Sequence, residues 1–308
     1  MSEMSTLLRR EVWEHRAIVV TPIVVGALII AALLLPVFAG TMGDVRVEGL
    51  FSELDDLTPE KVEAAWAVAG AGLAFPFALA MVLVTTFYLL DSLYAERKDR
   101  SILFWKSLPV SDARVVLSKL ATAVFVVPAV SIVALAVTSI VGWAITAGFL
   151  SSLGEEGRML VAGPGSVAQG IVFAAYLFVI QSLWYLPYYG WLLLVSAFAN
   201  RALLLWATLP PLALIWLEHA GLGTNNVAEL MGRRSVGFME DGLNGEGLSE
   251  VTRHDSGDTN ITIDAAGDIW GALDPVGFLT SPGLWGGFAV AALFVAGAIW
   301  LRRYRDEA

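Results

Sequence analysis

The chain has 308 residues, of which 57% are hydrophobic and only 16% charged, with a net charge of −10 and a mean hydropathy of +0.69. A soluble domain carries about a quarter charged residues, so the composition excludes an ordinary water-soluble enzyme and points to a lipid-embedded protein. There is no cysteine, which excludes disulfides, thiol catalysis and thiolate metal sites.

In chain order, residues 1–16 read as a short amphipathic helix. Met4, Leu8 and Val12 recur every fourth position with Leu7 beside them, while Arg9 and Arg10 fall on the far side. Such a helix lies in the lipid interface; the alternative is a frayed tail whose arginines act as an anchor. The first apolar run, 17–39, is longer than the ~7–15 residues of a signal-peptide core, and Glu3, Glu11 and Glu14 precede it. It reads as an uncleaved anchor; a signal peptide would instead be cut near "VFAG" at 37–40.

A membrane span needs roughly 20 mostly apolar residues. Six stretches qualify: 17–39, 65–90, 120–148, 169–199, 202–220 and 284–301. The acidic segment 41–64 precedes the second and contains a helix start, with Thr58 as N-cap and Pro59 in the first position. Segment 151–168 is short and rich in glycine. Only Asn200 and Arg201 separate the fourth and fifth spans, which predicts a tight helical hairpin.

In the last long segment, 221–283, residues 225–234 predict a short helix, and "TNITID" predicts extended chain within the acidic stretch 240–268. Asp255, Asp258, Asn260 and Asp264 do not match a calcium loop, so a solvated acidic loop is the better reading. Most of the 19 Lys and Arg fall at the two termini and between the second and third spans, which assigns that side to the cytoplasm. The acidic excess falls on the other side and carries no implication of nucleic-acid binding.

Three features stand out inside or beside the spans. "QSLWYLPYYGW" places Gln181, Trp184, Tyr185 and Tyr188 on one face around Pro187. That face lines a path for an amphipathic substrate or packs against neighbouring helices. Glu218 and His219 end the fifth span, where interfacial solvation competes with a translocation or gating role. Pro76, Pro128, Pro187, Pro210 and Pro211 interrupt spans, and each leaves a backbone carbonyl for a neighbour to satisfy. No phosphate-cradling G-x-x-x-x-G-K-[ST] occurs, so ATP hydrolysis by this chain alone is not expected. His15, His219 and His254 share no ligand spacing.

The segment "YAERKDRSILFWKSLPVSDARVVLSK", 94–119, interrupts the apolar pattern between the second and third spans. Asp99 is a plausible N-cap for a helix over 100–107, and Ser111 or Asp112 caps the next one. Ile102, Leu103, Phe104 and Trp105 form an apolar knob rimmed by Arg97, Arg100 and Lys106. Such a knob docks on a protein partner or dips into the lipid surface.

With its flanks, this segment resembles the cytoplasmic loop between the second and third spans of ABC-2 type transporter permeases. The six-span layout, the amphipathic N-terminal helix and the larger segment before the last span agree. The resemblance implies an all-α polytopic membrane protein with both termini cytoplasmic, in the plasma (inner) membrane of a prokaryote. It implies a permease subunit, without enzymatic activity or cofactor of its own, that pairs with a second permease copy or paralogue. ATP and Mg would be held by a separate ABC ATPase subunit. Arg97, Asp99, Arg100, Ile102, Leu103, Phe104, Trp105 and Lys106 would then form the ATPase-docking element, with 96–98 as its rim. The tight turn at Asn200–Arg201 departs from that pattern, leaving little room for a second coupling element. The competing reading is a membrane-anchored sensor or assembly factor that binds ligand through 221–283.

Overall fold

The computed structural model describes residues 3–38, 58–99, 111–244 and 270–304. These residues are helical, apart from turns and one isolated bridge between Leu243 and Leu273. Among the described residues six helical segments are long and apolar enough to cross a bilayer. Helix α1 spans Glu3–Glu14 and α2 spans Ala17–Phe38. Thr58 caps α3, Pro59–Gly72, by accepting from the Lys61 amide, with Pro59 in the first position where its missing N–H costs nothing. Helix α4, Ala74–Lys98, continues α3 after a break at Leu73. Ser111, rather than Asp112, caps α5, Asp112–Ala121. A π-helical turn over Thr122–Val126 joins α5 to α6, Val127–Ser152.

The short α7, Glu155–Met159, leads to α8, Pro164–Trp184. Tyr185 breaks the expected fourth span, and α9, Leu186–Phe198, follows with Pro187 in its first turn. Helix α10 covers Leu203–Leu222, and Ala202, its N-cap, has φ 52 and ψ 50. The helix expected over 225–234 runs on as α11, Asn226–Gly242. Helices α12, Pro275–Thr280, and α13, Pro282–Tyr304, complete the chain. Several helices extend past the apolar runs, because caps such as Thr58 and Ser111 set where a helix starts and hydropathy reports only its greasy middle.

The bundle packs through small residues, as membrane helices do when apolar surface alone gives no drive to associate. Helix α8 lies along α3, and Ser166, Gly170 and Ala174 are among its buried small residues. A Cβ on Gly170 would lie 3.2 Å from the Ala67 carbonyl and 3.3 Å from the Gly70 Cα. Helix α9 lies along α13, where a Cβ on Gly190 would meet the Ala291 carbonyl at 3.0 Å. Helix α10 differs from the others: none of its residues is buried, and it touches the bundle mainly at α9 and α11. The hairpin with α9 is closed by Trp191 Nε1 donating to the Ala207 carbonyl (2.9 Å) and by Phe198 against Trp206.

Two prolines show how the freed carbonyls are satisfied. Pro128 cannot donate to Val124, and the Ser182 hydroxyl does so at 2.9 Å from α8. Pro211 cannot donate to Ala207, and the Trp191 indole takes that place.

Candidate functional site

Five ionisable residues of alternating sign meet where the two ends of the chain come together. Glu11 of α1 and Lys119 of α5 are each 1% exposed. Lys119 Nζ lies 3.1 Å from Glu11 Oε1 and 3.0 Å from Glu96 Oε1 on α4. Arg302 of α13 gives Nη1 to Glu96 Oε2 at 2.5 Å and Nε to Asp112 Oδ1 at 3.0 Å. The chain of contacts therefore runs Glu11, Lys119, Glu96, Arg302, Asp112. Arg10 Nη2 stands 3.9 Å from Glu96 and brings the group to neutrality. The Tyr88 hydroxyl donates to Glu11 Oε2 at 2.8 Å. A buried charge is tolerable only when paired and hydrogen-bonded, and here every charge has an opposite neighbour.

This network joins the first helix, the last helix, and the helices α4 and α5 that flank 99–111. Arg97 extends it sideways, with Nη2 donating to the Ser196 and Ala199 carbonyls, both at 2.7 Å, and Nη1 to Asn200 Oδ1 at 3.3 Å. The guanidinium assigned by sequence to the rim of the loop thus holds the end of α9. The Ser196 hydroxyl enters the backbone ladder of α4, donating to Leu90 and accepting from the Leu93 and Tyr94 amides. Asp99 closes α4, its amide donating to Ala95 at 2.9 Å. Arg100, Ile102, Leu103, Phe104, Trp105 and Lys106, with the helix expected over 100–107, lie outside the described residues.

Helix α1 uses a different face from the one its apolar spacing indicates. Leu7 and Glu11 are its buried positions, Met4 is exposed, and Arg10 leans towards Glu96 instead of lying on the far side. The reason is that Glu11 reaches a buried cation, which outweighs what a few half-covered aliphatic groups gain. The signal in the sequence was an acid set within the stripe Leu7, Leu8, Val12. His15, just past α1, meets the Tyr88 ring edge-on at 4.8 Å. Burial lowers its imidazole pKa from the ordinary 6.5, with Glu11 opposing that shift.

At the opposite end of the bundle, two of the sequence-selected features converge on α11. Trp184 Nε1 donates to the Arg234 carbonyl (3.0 Å), Tyr185 Oη to Ser235 (2.7 Å) and Tyr188 Oη to Met231 (3.1 Å). Arg234 stacks on the Trp184 ring at 4.3 Å and donates to the Gly283 carbonyl at 2.7 Å. Gln181 is buried in the bundle one turn earlier. Glu218 accepts from the Asn226 and Val227 amides at 2.9 and 2.7 Å and from the Thr224 hydroxyl at 2.7 Å. It is a carboxylate cap at the positive end of α11. His219 Nδ1 lies 3.0 Å from Asn225 Oδ1. Four of the five candidate path residues thus grip one helix, Trp184, Tyr185 and Tyr188 in its middle and Glu218 at its start, while Gln181 stays in the bundle.

No family model, curated protein or solved structure matches this chain. Among the described residues no group of His, Asp and Glu is placed to hold a metal ion.

Proposed function

We propose that the chain is the membrane-spanning permease subunit of an ATP-driven transporter of the ABC-2 kind, an exporter, working with a separate ATPase subunit that holds ATP and Mg. On this reading both termini and 99–111 face the cytoplasm of a prokaryotic cell, and a second permease copy or paralogue completes the pair. The observation that supports it is the ion-paired network. A push on 99–111 acts on α4 and α5, which carry Glu96, Asp112 and Lys119; those residues are bonded to Arg302 of the last helix and Glu11 of the first. Motion delivered at one loop therefore reaches four helices through short, buried contacts. A nucleotide-driven partner shifts such an element only by binding its two arrangements unequally.

The test is purification of the tagged chain from its native membrane under mild detergent. An ATPase with a phosphate loop should accompany it, and Phe104→Ala with Trp105→Ala should abolish stimulated ATP hydrolysis while the subunit still inserts. A chain that purifies without any ATPase, or a double variant that couples normally, overturns the reading. The competing reading, a sensor or assembly factor acting through 221–283, draws on the firm hold of Trp184, Tyr185 and Tyr188 on α11. It predicts ligand-dependent behaviour with no ATPase present.

A further inference from the structure

A cavity of about 730 Å³ lies beside the ion network, between the start of α2, the second half of α4 and the start of α10. Its walls are mainly apolar, including Ile18, Leu83, Phe87 and Leu204. Volumes of roughly 300–1,000 Å³ with apolar walls and few polar groups are typical of small-molecule sites. Of its polar residues, His15 just precedes α2 and Asp91 lies on α4, with Thr21 and Tyr88 also in the lining. Asp91 is exposed and, among the described residues, has no hydrogen bond or ion pair. Among the described residues it is the one acidic group in the lining.

The third wall is unlike the other two. Helix α10 buries none of its residues, so little packing opposes its displacement. The residue that introduces it, Ala202, also lines the cavity and holds a left-handed backbone at φ 52, a conformation that costs an L-residue about 1–2 kcal/mol. Strain at the rim and a loosely held wall together describe a cleft that can admit a chain sideways from lipid.

We propose that this cavity binds a cationic amphiphile, a single apolar chain bearing a positively charged head, with the chain between α4 and α10 and the head against Asp91. The choice of a cation rests on charge complementarity. Asp91 lacks a counter-ion, and burial keeps the neighbouring imidazole of His15 in its neutral form at ordinary pH. A bilayer lipid fills the apolar part equally well, but its head is uncharged, anionic or an ammonium already neutralised by its own phosphate, so it matches the carboxylate less well than a free cation does. This site does not depend on the transporter reading, because binding needs no partner subunit.

The test uses radiolabelled dodecyltrimethylammonium, whose charge does not change with pH, and the full chain in nanodiscs of uncharged digalactosyldiacylglycerol, with empty nanodiscs subtracted. Saturable binding near one molecule per chain is expected. Asp91→Asn should weaken it by about tenfold or more, the order expected for losing one charge contact near a surface. Leu204→Trp, which fills the cleft from its loosest wall, should reduce it independently, and Glu229→Gln, on the distant α11, should leave it unchanged. Competition by dodecyltrimethylammonium should exceed that by dodecanol or dodecyl sulfate. Non-saturable uptake overturns the proposal. So do equal competition by dodecanol or dodecyl sulfate, and wild-type affinity in Asp91→Asn.

Discussion

Lys119 holds two carboxylates that belong to different helices, Glu11 at 3.1 Å and Glu96 at 3.0 Å. Removing one partner of a buried pair costs about 3–5 kcal/mol, because the survivor stays desolvated. Lys119→Met should therefore destabilise the folded chain by about that amount, measured by thermal or denaturant unfolding in detergent. Glu11→Gln should cost less, about 1–3 kcal/mol, since the amide oxygen still accepts from Tyr88. The combined variant should fall short of the sum. Helix α1 also carries a pH dependence through His15. Burial and Lys119 lower its pKa, while Glu11, Asp91 and Glu14 act in the opposite sense. The released helix binds a proton more readily than the docked one, so docking weakens as pH falls through the ordinary value of 6.5. The loss levels off below the lowered folded pKa. The chain has no cysteine, so an environment-sensitive dye on Leu8→Cys reports this cleanly between pH 8 and 5.5. His15→Phe should flatten the curve. Glu11 was visible in the sequence only as an acid out of place in an apolar stripe. Its partner lies 108 residues away, and periodicity cannot reach across that distance.

Helices were the most legible level. Apolar run length gave the number of spans, six, but joined α8 and α9 into one run that Tyr185 divides, while Thr58 and Pro59 marked the start of α3, because capping and hydropathy are local properties. The prolines were equally plain, but the side chains that answer them were not. Ser182 meets the carbonyl freed by Pro128 from 58 residues beyond it, and serine has no pattern that announces such a bond. Ser182→Ala should leave Val124 unpaired in the apolar interior and cost about 1–3 kcal/mol, read as a lowered unfolding midpoint. The close approach of α9 and α13 sets a harder limit. Gly190→Val pushes a branched side chain into the Ala291 backbone, so α13 must move away; loss of the folded fraction on size-exclusion chromatography checks this.

Across the whole molecule, each end of the bundle is tied by its own chemistry. One end is joined by ion pairs between buried side chains, the other by aromatic donors on backbone carbonyls. The shared face of Trp184, Tyr185 and Tyr188 was readable from helical spacing. That its acceptors would be the carbonyls of Met231, Arg234 and Ser235 was not, since every backbone offers the same carbonyl and sequence does not distinguish them. Tyr185→Phe with Tyr188→Phe keeps the rings and removes two bonds worth about 0.5–1.5 kcal/mol each. Protease cleavage within α11 should accelerate in that variant while the spans remain intact. Unaltered cleavage would mean that Glu218 and Trp184 suffice to hold the helix.

The alternating charges also impose an order on biosynthesis. Glu96 must wait for Arg302, 206 residues later, and at ~5–20 residues per second that is roughly 10–40 s of elongation. Until the last helix arrives, Glu96 has Lys119 and the more distant Arg10 but not Arg302, Asp112 lacks its guanidinium, and the half-made bundle leaves carboxylates short of the cation that the finished one supplies. A chain stopped short of α13 carries that mismatch permanently, which gives membrane quality control a charge to recognise in an otherwise apolar product.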